Sequence, residues 1–168
     1  MTAVRRRLAA VALVLVLACG AVGAAGCGSS SSSTSGTHVH FAKTKFLLHA
    51  GLAFGAFHHF IYKPYKAGGF SPPSHHKAAI VKAGLAGLFA YHETKIALND
   101  ARSSRVLSTV LAPLLALQDH LRSLSARLHG GNLDPAGIQS TNGAVDSLQS
   151  ASRSAGAPVT DHTPPSIG

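Results

Sequence analysis

Residues 103–129 read SSRVLSTVLAPLLALQDHLRSLSARLH, and Leu107, Val110, Leu114, Leu117, Leu121, Leu124 and Leu128 recur at alternating spacings of three and four. On an α-helix that spacing lines the side chains along one seam. Val106, Leu111 and Leu115 flank it, and Asp119, Arg122, Ser123 and Arg127 turn away. Such a seam needs a partner along its whole length, in the rest of the chain or in a second copy, so self-association is open to it. The pattern predicts a bundle or coiled coil. Pro113 removes a main-chain donor and should kink the helix or divide it in two. Ser103 or Ser104 is the expected N-cap, and Gly130 and Gly131 the end.

Upstream, residues 46–62 (FLLHAGLAFGAFHHFIY) predict a helix that Pro64 stops. Phe46, Ala50, Ala53, Phe57, Phe60 and Ile61 share a face, but Leu48 and Leu52 lie elsewhere, so this helix should be the most buried. Gly51 and Gly55 form a G-x-x-x-G pair that admits a close backbone. Residues 67–73 (AGGFSPP) are a turn, after which Ser74 is placed to cap a second helix running to about residue 100. Its expected inward stripe is Val81, Leu85, Leu88, His92 and Ile96, with Phe89 beside it and Lys82, Glu93 and Asp100 opposite. Ala79, Ala83 and Gly87 form a second line, expected to pack on the glycines of the first helix. Asp134 and Pro135 open a fourth helix with a thin stripe of Ile138, Val145 and Leu148.

The expected fold is all-α: a four-helix bundle of two αα-hairpins over residues 41–155. A Ser-rich tether (28–40) precedes it and a disordered tail (156–168) follows it. The expected core comprises Phe46, Phe54, Phe57, Phe60, Leu85, Leu88, Leu107, Leu114, Leu117, Leu121 and Leu124. A chain of 168 residues leaves room for one such domain.

Residues 1–27 alter the picture by adding a compartment. Arg5, Arg6 and Arg7 precede an apolar run over residues 8–18 and then a small-residue segment ending at Cys27, which are the three parts of an export signal. The residues Ala24, Ala25, Gly26 and Cys27, with Gly28 and five serines behind them, resemble the lipobox of bacterial lipoproteins. That resemblance implies acylation of Cys27, which becomes the new N-terminus, and retention on the extracytoplasmic face of the cell membrane. Val16, Leu17, Ala18 and Cys19 form an alternative lipobox, so Cys19 is the second candidate. An unlipidated secretory peptide and an uncleaved anchor helix are the other readings of the segment. Both cysteines of the chain lie in this region, so a core built downstream holds together without an internal disulfide.

Charge is uneven. Residues 41–105 carry seven Lys and two Arg against Glu93 and Asp100, a balance of +7, whereas residues 106–168 carry three Arg against four Asp, a balance of −1. The anchor-proximal half is therefore suited to an anionic envelope surface, each charge near such a surface being worth about 1 kcal/mol. Solvated helix ends are the plainer account of the same lysines. Nucleic acid is not expected, because the basic residues form no dense patch interleaved with aromatics.

Eleven histidines are the remaining oddity. The pairs His38/His40, His58/His59 and His75/His76 offer imidazole to zinc, copper, nickel or haem iron, and His49 and His92 lie on helices. None of the pairs has the i, i+4 spacing that presents two ligands on one helix face. His92 and Glu93 begin H-E-x-x-H, but Ile96 stands where the second histidine belongs. No metal site is favoured, and the candidates, should one exist, are His49, His58, His59, His75, His76 and His92. No G-x-S-x-G elbow or phosphate-binding loop is present. Neither a cofactor nor an enzymatic activity is expected. The sequence reads as an exported, lipid-anchored helical bundle with a binding or structural role in the cell envelope, the alternatives being a histidine-based metal or haem protein and a carrier of a hydrophobic ligand.

Overall fold

The computed structural model describes residues 34–164, with side chains from His40 onward. Cys19, Cys27, the export segment and the first part of the tether lie outside the described residues. Four helices pack as an up-down-up-down bundle of two αα-hairpins. Helix α1 spans Thr34–Phe57, α2 Lys77–Arg102, α3 Leu111–His129 and α4 Pro135–Ser154. Among the described residues no helix is long and apolar enough to cross a membrane.

The leucine seam is the centre of the core. All seven of its side chains are no more than 1% exposed, a burial worth about 1.5–3 kcal/mol for each large aliphatic residue. The flanking Val106 and Leu115 are exposed. The expected break falls before Pro113 rather than at it: a 3₁₀ segment, Arg105–Val110, leads into α3, which puts Pro113 in the first turn, where its missing N–H costs nothing. Neither serine caps this element. Ser104 Oγ is buried without a partner, and Ser103 Oγ donates back to Asp100 O. Gly131, at φ +77°, follows α3, and Asp134 caps α4 by accepting from the Gly137 N–H at 3.0 Å. Ile138, Val145 and Leu148 complete the buried stripe of α4.

Helix α2 corrects the sequence reading. Leu85 and Leu88, expected in the core, are each 44% exposed, and His92 is exposed beside them. The buried face is the small-residue line: Ile80, Ala83, Ala86, Ala90, Ala97 and Ala101, with Gly84 and Gly87. The reason is steric. Helix α2 approaches both α1 and α3 closely, and only a face of Ala and Gly admits two neighbouring helices. A Cβ on Gly84 would collide with the main chain of Leu128 and His129, and one on Gly87 would lie 2.9 Å from Ser125 Cβ. The small residues of α2 thus receive α3, whereas the glycines of α1 receive a different segment. Phe60, also expected in the core, is only half-buried.

Helix α1 is longer at both ends than its apolar run. It begins at Thr34, inside the stretch read as tether, because a polar first turn carries no periodic apolar signal. Pro64 does not end it at Tyr62. The helix widens into a π turn, His58–Tyr62, in which the Lys63 N–H donates to His58 O, and continues through the single turn Lys63–Lys66. Pro64 has no N–H for the Phe60 carbonyl, so the α ladder is already broken where the π turn relaxes it.

The C-terminal segment is ordered through Pro164, against the expectation of a disordered tail from residue 156. Gly156, at φ +63°, turns the chain out of α4. Ala157 and Val159 then bury alternate side chains, their N–H groups held by the Ser152 carbonyl and hydroxyl at 2.8 and 3.2 Å. The segment ends on α1, where the His162 N–H donates to Gly51 O at 2.9 Å.

Candidate functional site

Two polar sites are built into the faces of α1. In the first, His49 Nδ1 lies 2.6 Å from Glu93 Oε2. His49 follows Phe46 by one turn at the edge of the buried face, and Glu93 stands between Ala90 and Ala97 on the packed face of α2. Only 7% of Glu93 is exposed, and a carboxylate so placed requires a partner. Asp100 follows two turns further along the same side of α2, half-buried, with Oδ2 shielded and unpartnered. Burial pushes its carboxyl above the ordinary aspartate range, while His49 and Lys45 pull the other way. The basic edge of α1, Lys45 and His49, thus faces the acidic edge of α2.

The second site lies at the π turn. His58 Nδ1 is 2.7 Å from Asp161 Oδ2 on the C-terminal segment. His58, His59, Lys63, Asp161 and His162 line a shallow recess of about 80 Å³. Gly55 forms part of its floor, and Gly51, one turn earlier, receives the same segment. A Cβ on Gly51 would overlap the His162 ring, and one on Gly55 its carbonyl. The G-x-x-x-G pair does admit a close backbone, but that backbone is extended chain rather than a helix.

Of the remaining candidate histidines, only His59 shares the recess, and the others stand apart. His59 is exposed and packs edge-on against Phe60 at 4.8 Å. His75 is exposed in the inter-helix turn, and the carbonyl of His76 accepts from the Ile80 N–H at the start of α2. His92 points outward. Among the described residues, no three His, Cys, Asp or Glu side chains come together in a way that could hold a metal ion. Instead His49 and His58 each meet a separate carboxylate, and neither partner was foreseen. The larger side chains of α2 point the sequence pattern to the wrong inner face, which puts Glu93 on the solvent side. The spacing of Ala86, Ala90, Glu93 and Ala97 carried the signal. Asp161 lay in the segment read as tail, where the alternation of Ala157 and Val159 was the available clue.

Comparison with family models, curated proteins and solved structures found no match for the chain.

Proposed function

We propose that this is an exported lipoprotein, anchored through acylated Cys27 on the extracytoplasmic face of the cell membrane, where its helical bundle serves as a binding or structural component of the envelope. The observation that carries the reading is the N-terminal sequence, a tri-arginine start, an apolar run and Ala24-Ala25-Gly26-Cys27 followed at once by serines. Two further features support it. The first helix starts at Thr34, so the polar stretch between Cys27 and the bundle is short, as suits a domain held near its anchor. The polar pairs of the bundle join secondary-structure elements to one another, His49 to Glu93 and His58 to Asp161, a use that fits scaffold better than chemistry.

Intact-mass measurement of the chain from the membrane fraction tests the anchor. The expected mass is that of a chain beginning at a diacylated or triacylated Cys27. In the same experiment Cys27→Ser abolishes acylation and moves the protein out of the membrane fraction. A mature chain with neither cysteine acylated overturns the proposal, and a chain beginning at acylated Cys19 relocates the anchor.

A further inference from the structure

The outward face of the first hairpin does not look like that of α4, although Val106 and Leu115 beside the seam are exposed as well. Helix α4 presents Gln139, Ser140, Asp146, Ser147 and Ser150 to solvent, an ordinary hydrated surface. Helices α1 and α2 instead present Phe41, Leu48, Leu85 and Leu88, which are 62%, 49%, 44% and 44% exposed. The His49–Glu93 contact sets the register of the two antiparallel helices. At about 1.5 Å rise per residue, Leu52 stands level with Phe89 and Leu48 with the turn that carries His92 and Ile96. Leu52, Phe89 and Ile96 are half-buried, so the exposed leucines continue into the groove between the helices.

The exposed charges that this hairpin's own residues carry have one sign. Every exposed Lys, Arg, Asp or Glu side chain from His40 to Arg102 is basic, including Lys45, Lys82 and Lys95. Its two acids are turned inward, Glu93 buried against His49 and Asp100 half-buried beside it. Of the exposed acids of the described chain, Asp119 and Asp146 belong to the second hairpin, and Asp161, on the C-terminal segment, meets His58 at the π turn. Lys45 lies over the Phe41 ring at 4.5 Å, so one cation and one exposed aromatic share a patch.

We propose that this face, Leu48, Leu85 and Leu88 with the rim of Lys45, Lys82 and Lys95, rests on an anionic phospholipid surface, with α1 and α2 lying along it. Leucines enter the headgroup boundary and lysines meet lipid phosphates, the arrangement by which amphipathic helices bind membrane surfaces. The inference deepens the lipoprotein reading by assigning the side of the bundle that faces the membrane, since α1 starts seven residues after Cys27. It does not require the acyl chain, because the face carries its own apolar and cationic groups.

The chain contains no tryptophan, so Leu48→Trp, Leu88→Trp and, on the outer face of α4, Ser147→Trp are each a single reporter. The full mature chain is combined with phosphatidylglycerol vesicles or phosphatidylcholine vesicles containing brominated lipid. If mass measurement shows no acylation, the unanchored chain is added from solution and gives the same readout, so failure of the anchor and failure of the face are separable. Expected in phosphatidylglycerol are a blue shift and bromine quenching at positions 48 and 88 but not at 147. With the unanchored chain, Lys82→Gln should weaken partitioning about fivefold. No quenching at 88, equal quenching at 88 and 147, or equal quenching in phosphatidylcholine overturns the proposal. So does a blue shift at 88 without lipid, whether a dimer in sedimentation shows that a second copy covers the face or a monomer shows that the N-terminal segment does.

Discussion

The His162 N–H donates to the carbonyl of Gly51, joining the C-terminal segment to the first helix at 2.9 Å. The contact exists because Gly51 and Gly55 have no Cβ. It also spares α1 an exposed groove of bare backbone, since the segment fills the place that a neighbouring helix takes in other G-x-x-x-G contacts. The His58–Asp161 pair, at 2.7 Å, fastens the same segment one residue away.

Gly55→Ala should therefore undock the segment. The new Cβ would meet the His162 carbonyl, with the carbonyl carbon only 2.7 Å away, and a main chain held at both ends has little room to yield. A loss of about 1–3 kcal/mol is expected, with faster amide exchange over residues 157–163. Gly143 is the control. Nothing lies within 4 Å of a Cβ there, and Gly143→Ala in the interior of α4 should stabilise by about 0.5–1 kcal/mol. Equal melting shifts for the two variants would show that the segment is not held by this contact.

A second prediction separates the seam from the opposite face of α3. Leu117 is 1% exposed and Asp119, two residues on, is exposed. Leu117→Ala should cost about 2–5 kcal/mol through lost burial and a residual cavity. Leu117→Asp should unfold the domain, because it adds an unpaired carboxylate to the same loss. Asp119→Lys should stay within about 0.5 kcal/mol of the parent. Thermal melts followed by circular dichroism decide the matter, and similar melting temperatures for Leu117→Asp and Asp119→Lys would mean that the seam is not the core.

Asp100 gives a pH dependence whose sign is fixed by its surroundings. Burial raises its carboxyl above the ordinary value of 3.8, so the folded chain holds this proton more tightly than the unfolded chain does. The stability it contributes is complete below that ordinary value and is lost as pH rises through the raised one. Asp100→Asn should accordingly melt higher than the parent at neutral pH, and the gap should close in acid. A parallel pair of melting curves from pH 3 to pH 7 would show that Asp100 is not the group responsible.

The legible part of the fold was the part written in large side chains at helical spacing. The seam from Leu107 to Leu128 announced both the helix and its buried face, and Asp134-Pro135 announced the start of α4. Helix α2 misled for a physical reason. Periodicity reports where large apolar residues fall, and here they fall outward, while the contacts are made by alanines and glycines whose value is that they leave space. Hydrophobicity could not rank Ala90 above Leu88; only the need of one helix to touch two neighbours does. The polar pairs were harder still, because each joins residues far apart in sequence, His49 to Glu93 and His58 to Asp161. Leu85 and Leu88 are outward for the same reason, each 44% exposed on the face that the alanines and glycines leave to solvent.

The last prediction concerns the histidines. A tight structural metal site needs about four nitrogen, sulfur or oxygen ligands converging on one point. His49 and His58 are on one helix, but their rings meet different carboxylates on different elements, Glu93 on α2 and Asp161 on the C-terminal segment. His59, adjacent to His58, is exposed and packs on Phe60, and His75 and His92 are exposed elsewhere. At the recess, His58 is already engaged with Asp161, and among the described residues no three such groups converge as ligands. Metal should therefore bind loosely, at single imidazoles. Mature chain purified without an affinity tag is expected to keep less than one equivalent of zinc, copper or nickel through dialysis, to show no haem band, and to melt at the same temperature with and without chelator. One equivalent that survives dialysis and is lost in His58→Ala but retained in His75→Ala would place a site at the recess and make the His58–Asp161 pair its resting form.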